Sequence, residues 1–158
     1  GDSPTVKKTK AEPGLRLFSI ALGETTWRAE PNGPSKVHTP YGCALEGKLY
    51  VVAPHDALVI YDPKTKTWDR IEAPHSPRSP AVAAHKGEVW LLGGRTKEGG
   101  KVVYIFNSKT KKFRKGPTLP RDIVWGAAFS HKGKLYITGG SGAGAYLYPT
   151  STYVLKEN

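Results

Sequence analysis

Arginine and tryptophan are the side chains of this chain best suited to hold a ligand, and Arg78, Arg95 and Trp125 are the main candidates. A guanidinium group can form a two-pronged contact with a carboxylate or a sulfate, and an exposed indole can stack on a sugar or ring. The five histidines have no short paired spacing, and the single Cys43 excludes an internal disulfide and a multi-cysteine metal site. These residues predict binding of an anionic ligand, with no metal and no cofactor.

Sequence motifs of catalytic sites have little support. His55 and Asp56 are adjacent, but neighbouring residues in a strand or turn often point apart. The segment SGAGA at 141–145 lacks the Gly-Lys-Ser/Thr and the helix that follow a phosphate-binding loop, and it does not match a nucleophile elbow. We therefore predict no catalytic residue and favour a protein that is not an enzyme.

The composition is that of a basic, folded protein. A net charge of +11 favours anionic partners, with solubility as the alternative reason for it. No apolar run approaches the length of about 18 residues that a transmembrane helix needs. The chain contains no methionine, so we expect that a leader or a larger parent has been removed; a secretion signal is one explanation, and the compartment stays open.

A short strand pattern occurs three times along the chain. It is written CALEGKLYVVAP, AAHKGEVWLLGG and FSHKGKLYITGG, aligned on Gly47, Gly87 and Gly133, which are 40 and 46 residues apart. After each glycine come β-branched and aromatic residues in alternation or short runs, which is typical of hairpin strands. The repeat therefore predicts three tight hairpins at a regular period.

An aromatic strand repeats with the same period. The segment VIYDPKTKTWDRI matches YIFNSKTKKFRKG and, more weakly, FSIALGETTWRAE, so Trp27, Trp68 and Phe113 are 41 and 45 residues apart. In the two closer matches the turn before the aromatic begins at Asp62 or Asn107, residues that hydrogen-bond locally in turns. Two independent markers agree and no segment has helical periodicity, so we predict four strands per repeat.

Four antiparallel strands per repeat are the unit of a β-propeller blade, and the marks of this repeat resemble the kelch family. That family has small residues on the first strand, a turn glycine, an aromatic, a Gly-Gly pair and then Tyr-Asp-x-x-Thr-x-x-Trp; YDPKTKTW and LYITGG are the best matches. The chain departs from the pattern at Ala53-Pro54, in place of Gly-Gly, and at Ile20-Ala21, in place of Tyr-Asp. The resemblance covers residues from about 15 onward and implies an all-β, kelch-type β-propeller.

Each mark has a mechanical reason in such a fold. The small residues of YGCAL, AVAAH and WGAAF suit the crowded innermost strands. Gly93-Gly94 and Gly139-Gly140 let the chain leave the second strand at dihedral angles that side chains resist. Trp68 and Phe113 are predicted to wedge between adjacent blades, where they bury a large apolar area.

The repeats divide the chain into a flexible basic segment at 1–14 and a propeller segment at 15–158. The propeller segment comprises a partial blade at 15–34, blades at 35–77 and 78–121, and a partial blade at 122–158. About three blades leave two open flanks, which invite pairing, whereas closed propellers have about 4 to 8 blades. We expect either a fragment or, by preference, a homodimer, in which a second copy closes a ring of about six blades by supplying N-terminal strands to its partner's last blade.

The loops after the second and fourth strands open on one face in this topology. The positions before the innermost strands are His38-Thr39, Arg78-Ser79 and Val124-Trp125, and the loops after the second strand add His55, Asp56, Arg95 and the glycine-rich, flexible 141–144. Arg78 and Ser79 match the Arg-Ser with which kelch domains that grip acidic peptides bind at the channel mouth. His38 and Trp125 do not match that pattern but lie where they can line the same mouth, and topology adds the loop residues. The candidate ligand site therefore comprises Arg78, Ser79, Arg95, Trp125, His38, His55 and Asp56, of which the resemblance itself implies only Arg78 and Ser79.

The function we expect is a non-enzymatic binding module for a protein or glycan ligand, with an anionic ligand favoured. One alternative is a carbohydrate-active enzyme that resembles sialic-acid mutarotase, with Asp56 and Asp122 as the acids near the arginines. Another is a structural half-propeller whose role is assembly. The segment YGC superficially resembles the thioether-linked site of galactose oxidase, a copper enzyme with kelch repeats, but Cys43 is equivalent to Ala83 and is predicted to be a packed thiol.

The opposite face of the propeller is predicted to be rich in lysine, because alternate turns of an up-and-down blade share one side. Lys48, Lys86, Lys132, Lys109 and Lys111 lie there, together with Lys64, Lys66, Lys112 and Lys134. This face is expected either to contact polyanions or an anionic membrane, or only to keep the protein in solution. Aromatic residues that would stack on bases are not interleaved with these lysines, so specific nucleic-acid recognition is not expected.

Overall fold

The computed structural model of the protein describes residues 14–34, 39–53, 57–73, 77–142 and 152–155. Its strands, numbered in chain order, are β1 Phe18–Ser19, β2 Arg28–Ala29, β3 Tyr41–Leu45, β4 Lys48–Ala53, β5 Ala57–Asp62, β6 Thr67–Glu72, β7 Ala81–His85, β8 Glu88–Leu92, β9 Val103–Asn107, β10 Lys112–Lys115, β11 Val124–His131, β12 Lys134–Ser141 and β13 Thr152–Leu155. Within these described ranges there is no helix, as the lack of helical periodicity predicted.

The strands form antiparallel sheets that follow one another along the chain. β1 and β2 form the N-terminal sheet, β3–β6 the first full blade, β7–β10 the second full blade, and β11–β13 the C-terminal sheet. In each full blade, strands that are neighbours in sequence are also neighbours in space, which is the up-and-down order of a propeller blade. The prediction of an all-β partial propeller is confirmed.

The first strands of successive sheets lie side by side, β3 against β7 and β7 against β11. Their residues must be small where two backbones approach. A Cβ atom on Gly126 of β11 would lie 2.7 Å from Ile123 Cγ2 and 3.8 Å from the Cβ of Ala81 on β7. A side chain at Gly126 would thus clash with Ile123, while Ala81 of β7 lies at ordinary contact distance, and the small residues of these strands are consistent with the crowding expected from the sequence.

Apolar side chains are buried between successive sheets. Ile60 of the first full blade packs in one cluster with Phe106 of the second. Ile105 of the second full blade packs in another with Ile137 of the C-terminal sheet. Each blade therefore depends on its neighbour to remove its apolar face from water, which is the main favourable contribution to folding.

Two aromatic residues of the outer strands lie at equivalent positions between sheets. Phe113 stacks on Phe106, with ring centroids 4.9 Å apart, and joins the cluster shared by the two full blades. Trp68 packs on Tyr61 at the same centroid distance, and its Nε1 donates a hydrogen bond of 2.8 Å to the carbonyl of Pro31. Trp68 thus holds the N-terminal segment against the first full blade, and both residues occupy the predicted wedge positions.

The hairpin turns between first and second strands share one backbone conformation. Their paired φ angles are 51° and 75° at Glu46-Gly47, 49° and 75° at Lys86-Gly87, and 47° and 74° at Lys132-Gly133. Two successive positive φ angles are the signature of the type I′ turn, whose twist matches that of the strands it joins. The tight hairpins expected from the sequence are therefore present.

Gly94 leaves β8 in a conformation that only glycine tolerates without cost. Its φ is +84°, and its amide donates to the carbonyl of Ile123 at 2.7 Å. A Cβ atom at this position would lie 2.8 Å from the Cβ of Pro77 and 2.9 Å from the carbonyl oxygen of Arg78. The glycine therefore permits both the turn and the close approach of the segment that carries Arg78.

Substitution of two glycines separates these effects. Gly47 also has a positive φ, but a Cβ atom there would have nothing within 4 Å, so Gly47→Ala is expected to cost only about 1 kcal/mol. Gly94→Ala adds a backbone clash and is expected to cost about 3 kcal/mol. Urea denaturation of both variants measures the difference, and equal losses would show that the contacts around Gly94 do not constrain the fold.

Candidate functional site

Four of the predicted ligand-binding residues come together at one end of the strands. Arg78 and Arg95 form an isolated antiparallel bridge, in which the amide of Arg95 donates to the Arg78 carbonyl at 2.7 Å and the reverse bond measures 3.1 Å. Both side chains are exposed. Main-chain pairing therefore places two guanidinium groups, separated by 17 positions in sequence, on one edge, which we call the rim.

Trp125 of the C-terminal sheet completes this group. Its amide donates a hydrogen bond of 3.0 Å to the carbonyl of Ser79, and its ring lies under the Arg95 guanidinium, with 4.8 Å between Cζ and the ring centroid. This geometry is a cation–π contact. The rim therefore crosses the seam between the second full blade and the C-terminal sheet.

The backbone at Ser79 and Trp125 is the same and is strained. The two residues occupy equivalent positions, each eight before its turn glycine, and their φ angles are 57° and 62°. A bulky side chain in the left-handed region is a rare and unfavourable arrangement. The indole of Trp125 is exposed to solvent over 42% of its surface.

Two expectations about this region need correction. Trp125 lies within β11 instead of leading into it, because Val124 pairs with Ser141 at the extended end of the β11–β12 ladder. Ser141 is consequently a buried strand residue and not part of a flexible loop. The remainder of the proposed 141–144 loop, apart from Gly142, lies outside the described residues.

The other predicted site residues are distributed differently. His38, His55 and Asp56 lie outside the described residues. Asp122 accepts a hydrogen bond of 3.1 Å from the amide of Gly100, so its carboxylate stabilises the connection between β8 and β9. Within the described part of the chain, no group of three His, Cys, Asp or Glu side chains is arranged to hold a metal ion, and no helix is long and apolar enough to cross a membrane.

Sequence reasoning missed Arg121, which lies beside the rim. Its Nη2 donates to the carbonyl of Gly139 at 3.2 Å, and its guanidinium lies 5.5 Å from the ring centroid of Tyr153. Through these contacts Arg121 holds the segment before β11 against β12 and β13 of the C-terminal sheet. Its position after a proline and before an innermost strand, like that of Arg78, is the signal that could have found it.

The predicted lysines lie at the strand ends opposite the rim. They occupy or adjoin the turns at 46–47, 63–66, 86–87, 108–111 and 132–133, which join strands at that end. Lys48 pairs with Asp62 at 3.0 Å, and this lysine is the main cause that lowers the pKa of the Asp62 carboxyl. A lysine-bearing end is thus separated from the arginine-bearing rim by the length of the blades.

Cys43 is part of the packing between the two full blades. It lies against the apolar cluster that contains Tyr50 and Phe106, and burial raises the pKa of its thiol from the usual 9.0 to about 12. A thiol is a nucleophile only as thiolate. The predicted packed thiol is consistent with this environment.

Alkylation tests the state of this thiol. Native protein at pH 8 is expected to react with iodoacetamide far more slowly than unfolded protein, because the folded thiol stays protonated. Since the folded pKa is raised, the associated stability is present below pH 9 and is lost as the pH rises toward 12. Cys43→Ala should remove this loss of stability between pH 9 and 12. Equal rates of alkylation in native and unfolded protein would contradict the assignment of Cys43 as a packed, protonated thiol.

Comparison with known proteins finds similarity to kelch-repeat proteins. The kelch motif model matches residues 77–120, which include the Arg78–Arg95 bridge and the whole second full blade. Kelch-like protein 41b of Danio rerio is 23% identical over 166 aligned positions that cover 97% of this chain and 27% of the relative. An F-box/kelch-repeat protein of Arabidopsis thaliana is 30% identical over 78 positions, covering 43% of this chain and 21% of its own length.

Two further similarities extend over most of the chain. Beta-scruin of Limulus polyphemus is 21% identical over 150 positions, covering 85% of this chain and 16% of its own length. The solved structure of YjhT superposes with a TM-score of 0.71 at 15% identity, covering 80% of this chain and 52% of that one, and supports the fold alone. The chain therefore spans only about a sixth to a quarter of the length of these curated relatives.

Proposed function

We propose that this chain, which is a kelch-repeat β-propeller segment, is a protein-binding module that recognises an anionic protein or glycan ligand through its rim. The kelch fold favours binding of a protein partner; fold alone does not identify the ligand. The observation that carries the proposal is the convergence of Arg78, Ser79, Arg95 and Trp125 from two sheets. No catalytic role is needed to account for it.

The charge of the rim favours an anion. The main-chain bridge holds the two arginine backbones in register, so less conformational entropy is lost when both side chains contact one ligand. Arginine–carboxylate and arginine–sulfate pairs are short, directional and stronger than neutral hydrogen bonds. An acidic peptide and a sialylated or sulfated glycan present the same anionic chemistry to such a pair.

The strained Trp125 supports a binding role. A residue of ordinary turn chemistry, such as glycine, would fit its φ of 62° without strain. Unfavourable backbone geometry tends to persist where function requires it. The indole beside Arg95 offers a flat apolar surface next to a cation, which suits a sugar ring or an apolar residue that flanks an acidic one.

Substitutions at the rim test this proposal. Arg78→Ala and Arg95→Ala are each expected to weaken binding of the acidic peptides or sialylated glycans retained by an array by about tenfold or more. Trp125→Gly is expected to weaken binding while keeping or raising the melting temperature, since it removes backbone strain. Isothermal titration and thermal unfolding measure both effects.

A matched control removes the same charge elsewhere. Arg16→Ala, at an exposed position of the N-terminal segment, should leave the affinity unchanged. If Arg78→Ala and Arg95→Ala bind like the parent protein, or no more weakly than Arg16→Ala, the rim is not the ligand site.

The second part of the proposal concerns closure by a homodimer. Apart from Leu22 at a turn tip and Trp125 at the rim, the exposed large apolar side chains of the described residues lie on the two end sheets or next to them: Phe18, Ile20, Trp27, Phe129 and Val154. Val154, which pairs with Tyr136, occupies the position of Ile60 and Ile105 in the two full blades. Both isoleucines are buried against the blade that follows their own. This equivalence supports a further blade against the C-terminal sheet.

The N-terminal sheet offers the complementary face. Trp27 is equivalent to Trp68 and Phe113, which both pack against the part of the chain that precedes their blade. Trp27 has no such contact among the described residues, and 63% of its surface is exposed. The C-terminal sheet therefore exposes residues that would contact a following blade, and the N-terminal sheet exposes residues that would contact a preceding blade. In the proposed dimer the N-terminal strands of each copy complete the last blade of the other, which covers both flanks and closes a symmetric ring of about six blades.

Sedimentation measures the proposed assembly. The parent chain is expected to sediment at twice 17.2 kDa. The variant Phe129→Ser is expected to sediment at the monomer mass without loss of fold, because Phe129 is 56% exposed in a single chain. Leu22→Ser makes a similar apolar-to-polar change at a turn tip and should leave the dimer intact. A monomeric parent chain at high concentration would exclude closure by a second copy, without affecting the rim tests.

A further inference from the structure

The end of the protein opposite the rim has lysines in a conformation that lysine disfavours. We call the turns at 46–47, 63–66, 86–87, 108–111 and 132–133, with the strand residues beside them, the turn face. On it Lys66 and Lys111 both have φ of 57°, and Lys86 and Lys132 have φ of 49° and 47°. Glycine and asparagine suit this left-handed region better. Lysine fills four of the five non-glycine positions with positive φ on the turn face, and Glu46, with φ of 51°, fills the fifth. Departures from local sequence rules concentrate at functional sites, so this preference for lysine favours a role for its charge.

Acidic side chains beside the turn face are engaged with partners that the structure identifies. Asp62 pairs with Lys48 at 3.0 Å, and Glu88 pairs with Arg114 at 2.5 Å. Glu46 accepts a hydrogen bond of 3.2 Å from the Ser108 hydroxyl. Glu24, in the connection that carries Leu22, pairs with Arg28. The nine lysines in and beside these turns outnumber these four acids, so this end keeps an excess of positive charge.

An exposed leucine lies at the same end. Leu22 is in the connection between β1 and β2, which aligns with the β5–β6 turn of the next repeat, and its side chain is fully exposed, at 107% of the reference area. Its position at a turn tip is distinct from the open flanks of the end sheets. An apolar tip among cationic turns combines the two features by which peripheral proteins attach to an anionic bilayer.

The shape of the turn face distinguishes between anionic partners. Turn tips of successive blades lie at one end of the propeller, so their charges are spread over a surface and do not line a cleft. A broad surface matches the plane of a bilayer, whereas single-stranded nucleic acid is held in grooves with stacking aromatics. We propose that the turn face docks on a membrane surface rich in anionic lipid, with its lysines at the headgroups and Leu22 in the interface.

This inference does not rest on the proposed rim ligand, because the rim lies at the other ends of the strands. Docking through the turn face leaves Arg78, Arg95 and Trp125 directed away from the bilayer. A membrane-bound propeller could then still present its rim to a ligand in solution.

Vesicle co-sedimentation tests the inference with the full chain. Binding is expected to phosphatidylcholine vesicles that contain phosphatidylserine and not to pure phosphatidylcholine vesicles, and to weaken as ionic strength rises. The double variants K66N/K111N and K86N/K132N should each partition about tenfold less. Both should also melt at a higher temperature, because asparagine fits the positive φ, so that lost binding cannot come from damage to the fold.

A matched double variant removes the same charge from the other end. K97N/K101N, in the connection that carries Arg95, is expected to bind vesicles within about twofold of the parent, because screening limits charges far from the bilayer. Leu22→Ser is expected to reduce partitioning about fivefold with unchanged melting temperature.

Three results would overturn the inference. They are equal binding to neutral and anionic vesicles, unchanged partitioning of both turn-face variants, and binding to dextran sulfate in solution without binding to anionic vesicles. The last result would assign the turn face to a soluble polyanion. Rim binding, measured on the same variants, separates failure here from failure of the proposed rim function.

Discussion

Burial of apolar surface between neighbouring sheets is the constraint on which this structure depends. Ile60, Ile105 and Ile137 are each removed from water by side chains of another sheet, and no sheet of the described residues has a second layer of its own. This requirement explains why the repeat places small residues on the innermost strands and aromatics on the outer ones, since a wedge-shaped space widens with distance from the axis. It also explains why the end sheets, which lack one neighbour, hold the exposed aromatic side chains.

The fold was predictable because its two markers are properties of local backbone geometry. A turn glycine that must follow another residue of positive φ, and an aromatic residue that fills the space between blades, recur wherever a blade recurs. The period of these markers predicted sheet order without knowledge of any contact. The extension of β11 and β12 to Val124 and Ser141 was not predictable, because Gly139 and Gly140 are typical of a strand end. The pairs Gly126–Gly139 and Val124–Ser141 across the hairpin are what extend the ladder past them.

The candidate site was predictable in part. Topology predicted that Arg78 and Arg95 lie at one rim, because both follow strands that run in the same direction. The cation–π contact of Arg95 with Trp125 and the left-handed backbone of Trp125 depend on how the C-terminal sheet approaches the second full blade, and no local pattern encodes that approach. The position of Arg121 after a proline was a local signal, but its contacts with Gly139 and Tyr153 were not predictable, because those partners come from strands later in the chain.

The Arg78–Arg95 bridge is made by main-chain atoms alone, and this has a consequence for how such a module diversifies. Any two residues with suitable backbone angles can occupy the bridge, so side chains at these positions can be exchanged without loss of the bond that aligns them. A duplicated blade would carry the same alignment with it and offer another pair of variable positions. Recognition of new molecules can therefore evolve by point substitution and blade duplication while the scaffold keeps its architecture.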